Sequence, residues 1–381
     1  MEIDVVVARS AGELAAKLSG TDADFVSVHG DCGLDVAAAA VGLGLQALHG
    51  ATSCLGAMTG EGPTDGLAAF VLRDPAGAYG TALATFGDDP AGAAARATRA
   101  ALENADRPGE QPDLVWVSAT PGAEEEVLAG IESVIGRDIP IIGGSAADNA
   151  VAGGWFVYDG SERTEAGVVV SALFPSRPIS FAYQSGYAPT EHAGTVTRAE
   201  GRRIHEIDGR PALEVYAEWT EGAIDGPAAH EASVPILSES TLWPLGREIA
   251  GVGAVPFYLL AHPAVAQADG AIDLFATVAE GEALTLMSGT QESLIARAGR
   301  VAALARATGG VEETPVAGAL MIYCGGCMLS VRDRVADVAA GVDIALDGAP
   351  FLGAFTFGEQ GALLGAGNRH GNLMISCIVF H

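Results

Sequence analysis

Three stretches of this chain carry the same order of elements, and that repetition limits the fold more than any other feature. In the middle stretch, "ATFGDDPAGAAARATRAALENADRP" closes a strand at Phe86, caps a helix with Asp89 and begins it with Pro90. An N-cap carboxylate accepts the free N–H groups of a first turn, and proline needs no N–H there. "DLVWVSAT" reads as a buried strand. Thr120 and Pro121 then open a second helix with an acidic first turn, Glu124, Glu125 and Glu126, and with Val127, Leu128, Ile131, Val134 and Ile135 at helical spacing. The strand "IPIIGGSAADN" follows, and the strand-like runs "GGWFVYDG" and "AGVVVSALF" close the unit.

The C-terminal stretch repeats this order. "GTQESLIARAGRVAALARATGG" is a helix stopped by two glycines, "ALMIYC" its strand, "LSVRDRVADVAAGV" the second helix, and "APFLGAFTFGEQG" and "NLMISCIVF" the closing strands. The N-terminal stretch is shorter, with Ser10 and Glu13 as a capping box, strand "DFVSVHGDC", helix "LDVAAAAVGLGLQAL", then "GATSCLGAMTG" and "GLAAFVL". Apolar runs without strict alternation imply sheets covered by helices, hence an α/β class of mixed sheets built from a repeated strand-helix-strand-helix-strand unit. Residues 175 to 284 break the pattern: "GTVTRAEGRRIHEIDGRPALEVYAEW" predicts a short hairpin before a helix begun near Pro211. Two domains are expected, residues 1–195 with two copies and 196–381 with the hairpin region and the third copy.

Composition removes several function classes. The formal charge is -28, and Lys17 is the sole lysine among 20 basic residues, which disfavours nucleic-acid binding because a phosphate backbone needs a clustered basic face. The most apolar stretch, "IAGVGAVPFYLLAHPAVA", is interrupted by Pro256, His262 and Pro263, so no membrane span is expected. The start "MEIDVVVARS" lacks the features of a signal peptide, and five irregularly spaced cysteines do not make a disulfide framework. A cytoplasmic setting with free thiols is the expectation.

In each copy the strand after the second helix ends in a small-residue loop: "GATSCLG", "IGGSAADN" and "LGAFTFGE". Such loops let a ligand approach the backbone, and ligand sites in α/β sheets gather at strand ends. The expected contacts are Ser53, Cys54 and Gly56 from the first copy, and Gly143, Gly144, Ser145 and Asp148 from the second. The third copy would supply Cys324, Gly353, Thr356, Gly358, Glu359 and Asn372. The N–H groups around Gly143 to Ser145 would hold a carboxylate, and Glu359 with Thr356 a cationic or hydroxyl group.

The "CGGC" at residues 324 to 327 admits a pocket-lining role, a reactive or redox thiol pair, or half of a metal site. A strand-end thiol facing a helix N-terminus would have a lowered pKa. The other two copies carry no second cysteine at this place, and no Cys/His cluster completes a tetrahedral site, so no metal and no cofactor are expected. Cys324 and Cys327 with His370 and Glu359 form the alternative, a thiol-dependent enzyme or redox protein.

The run "IPIIGGSAADN", then "GTVTRAEGRRIHEIDGRPALEVYAEW", "EGEALTLM", "GALMIYC" and "FLGAFTFGEQGALLGAGNRHGN" resembles the FIST family over roughly residues 20 to 381. In the family's first loop pattern Ser53 and Gly56 match, while Cys54 and Ala57 stand where threonine and glutamate are usual. The pattern at Thr356, Phe357, Gly358 and Glu359 matches; Cys324 and Gly326 match a third pattern, with Cys327 in place of an arginine. The resemblance implies an intracellular sensory protein rather than an enzyme. It would bind a small polar molecule, an amino acid being the first expectation, and pass the signal to a partner protein through a population shift in the angle between domains.

Overall fold

The computed structural model of the chain describes residues 1–34, 43, 45, 47–226, 232–252, 255–311, 313–363 and 365–381. Among these the repeat becomes three mixed sheets, each built on a parallel pair: Phe25–Gly30 with Leu48–Thr52, Leu114–Ala119 with Ile141–Ser145, and Gly318–Cys324 with Phe351–Thr356. Parallel neighbours require a crossover. The helix Glu124–Ile135 supplies it in the second unit, and the helices Gly325–Ser330 and Val335–Ala345 supply it in the third. The first unit's expected crossover helix, with its Gly-x-Gly, lies almost wholly outside the described residues. A long antiparallel strand flanks each pair: Leu67–Arg73, Gly167–Phe174 and Met374–Phe380.

The remaining positions in each sheet are filled by another unit. The first unit's hairpin, Ala57–Thr59 with Gly62–Thr64, pairs with Phe351–Thr356 of the third. The third unit's hairpin, Glu359–Leu363 with Gly367–Gly371, pairs with Ile141–Ser145 of the second. The second unit's short strands, Val157–Tyr158 and Arg163–Thr164, pair with Leu48–Thr52 of the first. The exchange closes on itself, so the open side of each parallel pair is covered by a hairpin from a neighbour.

Alternation along the strands sorts the core into layers. Phe70, Leu72, Leu114, Trp116, Leu320 and Ile322 meet in one core shared by all three sheets. The intervening residues Val26, Val117 and Met321 instead face outward into three separate layers, which the helices of each unit cover. This period of two on both faces is what apolar runs without alternation encode.

Local signals place most helix ends. Asp89 Oδ1 accepts the N–H of Gly92 at 2.8 Å with Pro90 in the first turn, and Thr290 with Ser293 forms a reciprocal capping box. Three details differ from expectation. Glu13 accepts the N–H of Arg9 rather than that of Ser10, so only half of that capping box forms. The helix after Thr120 starts at Glu124, because Gly122 at φ +119° turns the chain first. The predicted helix "LSVRDRVADVAAGV" breaks at Val331, whose ψ of 24° leads into a 3-10 turn over Arg332–Arg334.

Residues 188 to 288 form a nine-stranded sheet inserted between Ile179–Ser185 and the helix Gln291–Arg306 of the third unit. The predicted hairpin is there, Ala188–Glu200 with Arg203–Ile207, and Pro211 precedes the helix Ala212–Trp219, which packs into the insert's own core. The boundary expected at 195/196 falls within the first of these strands.

Candidate functional site

Every residue of the strand Gly318–Cys324 is buried, and two glycines at its end turn the chain into the short helix Gly325–Ser330. Cys324 sits at this turn, hydrogen-bonded to the Cys327 thiol and to the N–H groups of Gly326 and Cys327. Burial outweighs those N–H groups and pushes the Cys324 thiol well above its usual range. Its neighbour Cys327 turns toward the insert, 3.6 Å from Tyr187 Oη, which donates to the carbonyl of Thr241. A thiol held protonated in this way is a poor nucleophile, and the activation expected from a strand-end position is not present.

The three glycine-bearing loops come together, and they use up their polar groups on one another. Ser53 Oγ accepts the N–H of Phe355 at 2.7 Å, and Cys54 N–H donates to the carbonyl of Phe355. Ser145 N–H donates to the carbonyl of Gly358 at 2.8 Å, and Phe357 N–H to that of Ser145. Ala147 N–H reaches the carbonyl of Thr52 at 2.9 Å, closing a triangle. The amides around Gly143 to Ser145 are therefore spent within the fold and do not cradle a carboxylate. The glycines serve close approach: a Cβ on Gly143 would lie 1.8 Å from the Val117 carbonyl oxygen, on Gly144 2.5 Å from Thr356, on Gly353 2.7 Å from Met58 and on Gly358 2.7 Å from His370. Gly56, at φ +113°, packs against the backbone of Thr64.

Two acidic candidates are also inward-turned. Glu359 is fully buried and accepts Thr356 Oγ1–H at 3.0 Å and the N–H of Met374 at 2.9 Å. Burial, with the Cys324 thiol beside it, raises its carboxyl well above the usual range, and with its oxygens engaged by Thr356 and Met374 it stands behind the pocket wall and not in the lining. Asp148 accepts the N–H groups of Ala150, Val151, Ala152 and Gly154, which shapes the following loop and holds Val151 at φ +53°. Burial opposes ionisation there, but the four N–H groups hold the carboxyl below its usual value.

Above Cys324 lies a cavity of about 250 Å³. One wall is the insert, with Leu237, Thr241, His262 and Phe275; the other is the third unit, with Cys324, Gly326, Leu329, Phe357 and Asn372. Val151 and Leu329, 43% and 45% exposed, stand at its mouth. The Asn372 Oδ1 accepts the backbone N–H of His262 at 3.1 Å, which fixes the amide's orientation, and its Nδ2 is buried without a hydrogen-bond partner. His262 Nε2 lies 3.1 Å from the Leu237 carbonyl oxygen and so carries the proton. Burial lowers the ring's pKa to about 4, leaving it neutral.

His370 belongs elsewhere. Its Nδ1 lies 3.2 Å from Gln360 Nε2 and its Nε2 3.3 Å from the Phe275 carbonyl oxygen, in a junction with Glu124 and Glu125. One possible ligand atom from each of these three residues lies within 4.8 Å of the others. The place a cation would take is filled: Arg202 Nη2 donates to Glu124 at 2.7 Å and to Glu125 at 2.6 Å. Burial would raise the Glu125 carboxyl, but His370 and Arg202 outweigh it and hold the pKa at about 2. The junction ties the second unit to the insert, since Glu125 also accepts the N–H of Thr277. The expected Cys324, Cys327 and His370 constellation is thus not assembled.

With this arrangement in view, the comparisons with known proteins decide the family. A FIST N domain model matches residues 25–210 and a FIST C domain model residues 212–362. The chain belongs to the FIST family. FIST domains are associated with sensory signal transduction, and no described helix is long and apolar enough to cross a membrane. The chain is also similar to the uncharacterized protein MJ1623 of Methanocaldococcus jannaschii, 35% identical over 109 residues, 27% of this chain and a fifth (20%) of that protein's length. A solved structure, cyanuric acid hydrolase from A. caulinodans, aligns over 100% of this chain and 98% of its own at 10% identity and a TM-score of 0.35, too distant to bear on fold or activity.

Of the residues expected at a FIST ligand site, Cys324 and Asn372 line the cavity, whereas Ser53, Cys54, Gly56, Gly143, Gly144, Ser145, Asp148, Gly353, Thr356, Gly358 and Glu359 build the frame around it. His262, Thr241, Leu237 and Phe275 were not anticipated. Leu237 and Thr241 lie in a Pro- and Ser-rich stretch whose apolar residues have no period of their own, and His262 shows in the sequence only as an interruption of an apolar run. Arg202 and Glu124 were missed because an acidic first turn is sufficiently explained by the helix dipole.

Proposed function

We propose that this FIST protein is a sensor whose small-molecule ligand occupies the cavity between the insert and the third unit, and that occupancy shifts the insert relative to the three-sheet body for a partner protein to read. The observation that carries the reading is a cavity of about 250 Å³ walled by both the insert and the third unit. A ligand touching both walls has different affinity for their closed and open arrangements, which is the condition for a population shift. The five free thiols fit action in the cytoplasm.

A thermal-shift screen of metabolites, followed by hydrogen exchange on each compound that stabilises the fold, tests this. Slowed exchange in both 237–241 and 325–330, lost on Leu329→Trp, which plugs the mouth, is the expected result. Stabilising compounds that protect neither segment would refute it.

A further inference from the structure

Resting on that reading, the lining also limits which molecules can bind. We propose that the cavity takes an uncharged, largely apolar molecule of single-ring size and rejects amino acids and other ions. Among the described residues no Asp, Glu, Lys or Arg lines it. The two titratable groups in its wall carry no charge near neutral pH, since burial lowers His262 to about 4 and raises the Cys324 thiol. A zwitterionic amino acid, the ligand expected from family resemblance, would bring two charges into a space that pairs neither, at a large desolvation cost.

The polar groups of the lining do not supply the missing charge. Thr241 Oγ1 donates to the Leu237 carbonyl at 2.7 Å, and Ser330 Oγ to that of Gly326 at 3.0 Å. Asn372 Oδ1 accepts the His262 N–H, and its Nδ2 is enclosed in the wall. Ser238 adds a hydroxyl at the exposed rim, a neutral group that balances no ion. Leu237, Phe275, Leu329 and Phe357 supply apolar surface from both walls. The mouth is apolar as well. Of the four large apolar side chains exposed among the described residues, two, Val151 and Leu329, stand here. Exposed apolar side chains gathered at one opening suit the entry of an apolar guest. Size follows by proportion: an apolar cavity of about 150 Å³ holds benzene, so about 250 Å³ suits a ring with a short substituent.

Fluorine NMR titration at neutral pH with probes that share one ring isolates the effect of charge: 4-fluorobenzyl alcohol, 4-fluorobenzylammonium, 4-fluorobenzoate and 4-fluoro-L-phenylalanine. High salt in the buffer screens the acidic surface of the protein. A charged probe must shed its water or back out of the cavity, and it loses affinity either way. The alcohol is expected to bind at least about tenfold more tightly than each of the other three. Leu329→Trp, a change at an exposed rim position that leaves the core intact, should abolish its binding. Binding of any charged probe within about tenfold of the alcohol, lost on Leu329→Trp, overturns the ligand class but leaves the cavity reading standing. Binding of no probe, or binding unchanged by Leu329→Trp, overturns both.

Discussion

The shared core between the first two sheets holds a polar cluster whose protonation state can be read from its partners, and acid should weaken the fold through it. Trp116 Nε1–H donates to Ser27 Oγ at 3.2 Å, and Ser27 Oγ is hydrogen-bonded to His29 Nε2, 3.0 Å away. Burial lowers the His29 pKa to about 4, so the ring is neutral near pH 7. His49, held by Ser171 and Ser118 at 2.9 Å each, is lowered by burial as well, and by His29. The folded pKa lies below the unfolded value of about 6.5, so between the two the unfolded state binds more protons. Stability is complete above pH 6.5 and is lost as pH falls toward 4. For His29 alone the shift from 6.5 to about 4 corresponds to about 3.4 kcal/mol, with a slope of at most about 1.4 kcal/mol per pH unit. Urea unfolding at pH 7, 6, 5 and 4.5 on the protein and on His29→Phe measures it, with the carboxylates common to both cancelling in the difference. The variant should be less stable at pH 7 but lose stability less steeply below pH 6.5. Parallel pH profiles for the two proteins would refute a neutral, desolvated His29.

Three further outcomes follow from the site. Arg202→Leu should cost about 3 kcal/mol in urea unfolding, because it leaves the buried Glu124 carboxylate uncompensated; the double variant with Glu124→Gln should recover part of that loss. Asp148→Ala should cost about 1–3 kcal/mol by freeing four N–H groups of the 148–154 loop, and should weaken binding of any cavity ligand, since Val151 at the mouth loses its support. Ellman's reagent at pH 8 should titrate about one thiol in the folded chain, half-buried Cys32, and all five after unfolding, because burial shields the others and raises Cys54, Cys324 and Cys377.

What could be read from the residues was local. Asp89 with Pro90 and Thr290 with its first turn announce helix starts by chemistry confined to four residues, and both are found where expected. The threefold repeat likewise shows through element order. The cyclic exchange of hairpins does not, because pairing Ala57–Thr59 with Phe351–Thr356 depends on geometry nearly three hundred positions apart, and the hairpin's own sequence suits any edge. The same long-range closure explains the misplacement of the binding residues. Glycine-rich strand ends look like free N–H groups when each copy is read by itself; only three copies together show that Ser53, Ser145 and Phe355 satisfy one another. Asn372 is among the expected contacts. What makes it notable is His262 N–H holding its oxygen, a contact between positions 110 apart.

The closed exchange also bears on how a signal can leave the cavity. Moving one unit of the body away from the others would strip a hairpin from a neighbour's sheet and open the core that Trp116, Phe70 and Ile322 share. Each sheet is thus braced by two partners. The insert is attached differently: none of its described strands joins a sheet of the body, and it is held by two chain connections, at 185–188 and 288–291, by Leu259, Leu260 and Met287 buried in the third unit's outer core, and by polar contacts, Arg202 and Thr277 on Glu124 and Glu125, and His262 on Asn372. An interface of side chains can shift without breaking a strand pairing, whereas the exchanged hairpins cannot. In the proposed sensor the soft coordinate is therefore the insert against the body, and the cavity lies across that coordinate with Asn372 at its base. Cutting the Arg202 tether should make the insert's hydrogen exchange faster than the body's while the body's sheets keep their protection; equal acceleration everywhere would mean that insert and body open as one unit, and would remove the insert as the moving part.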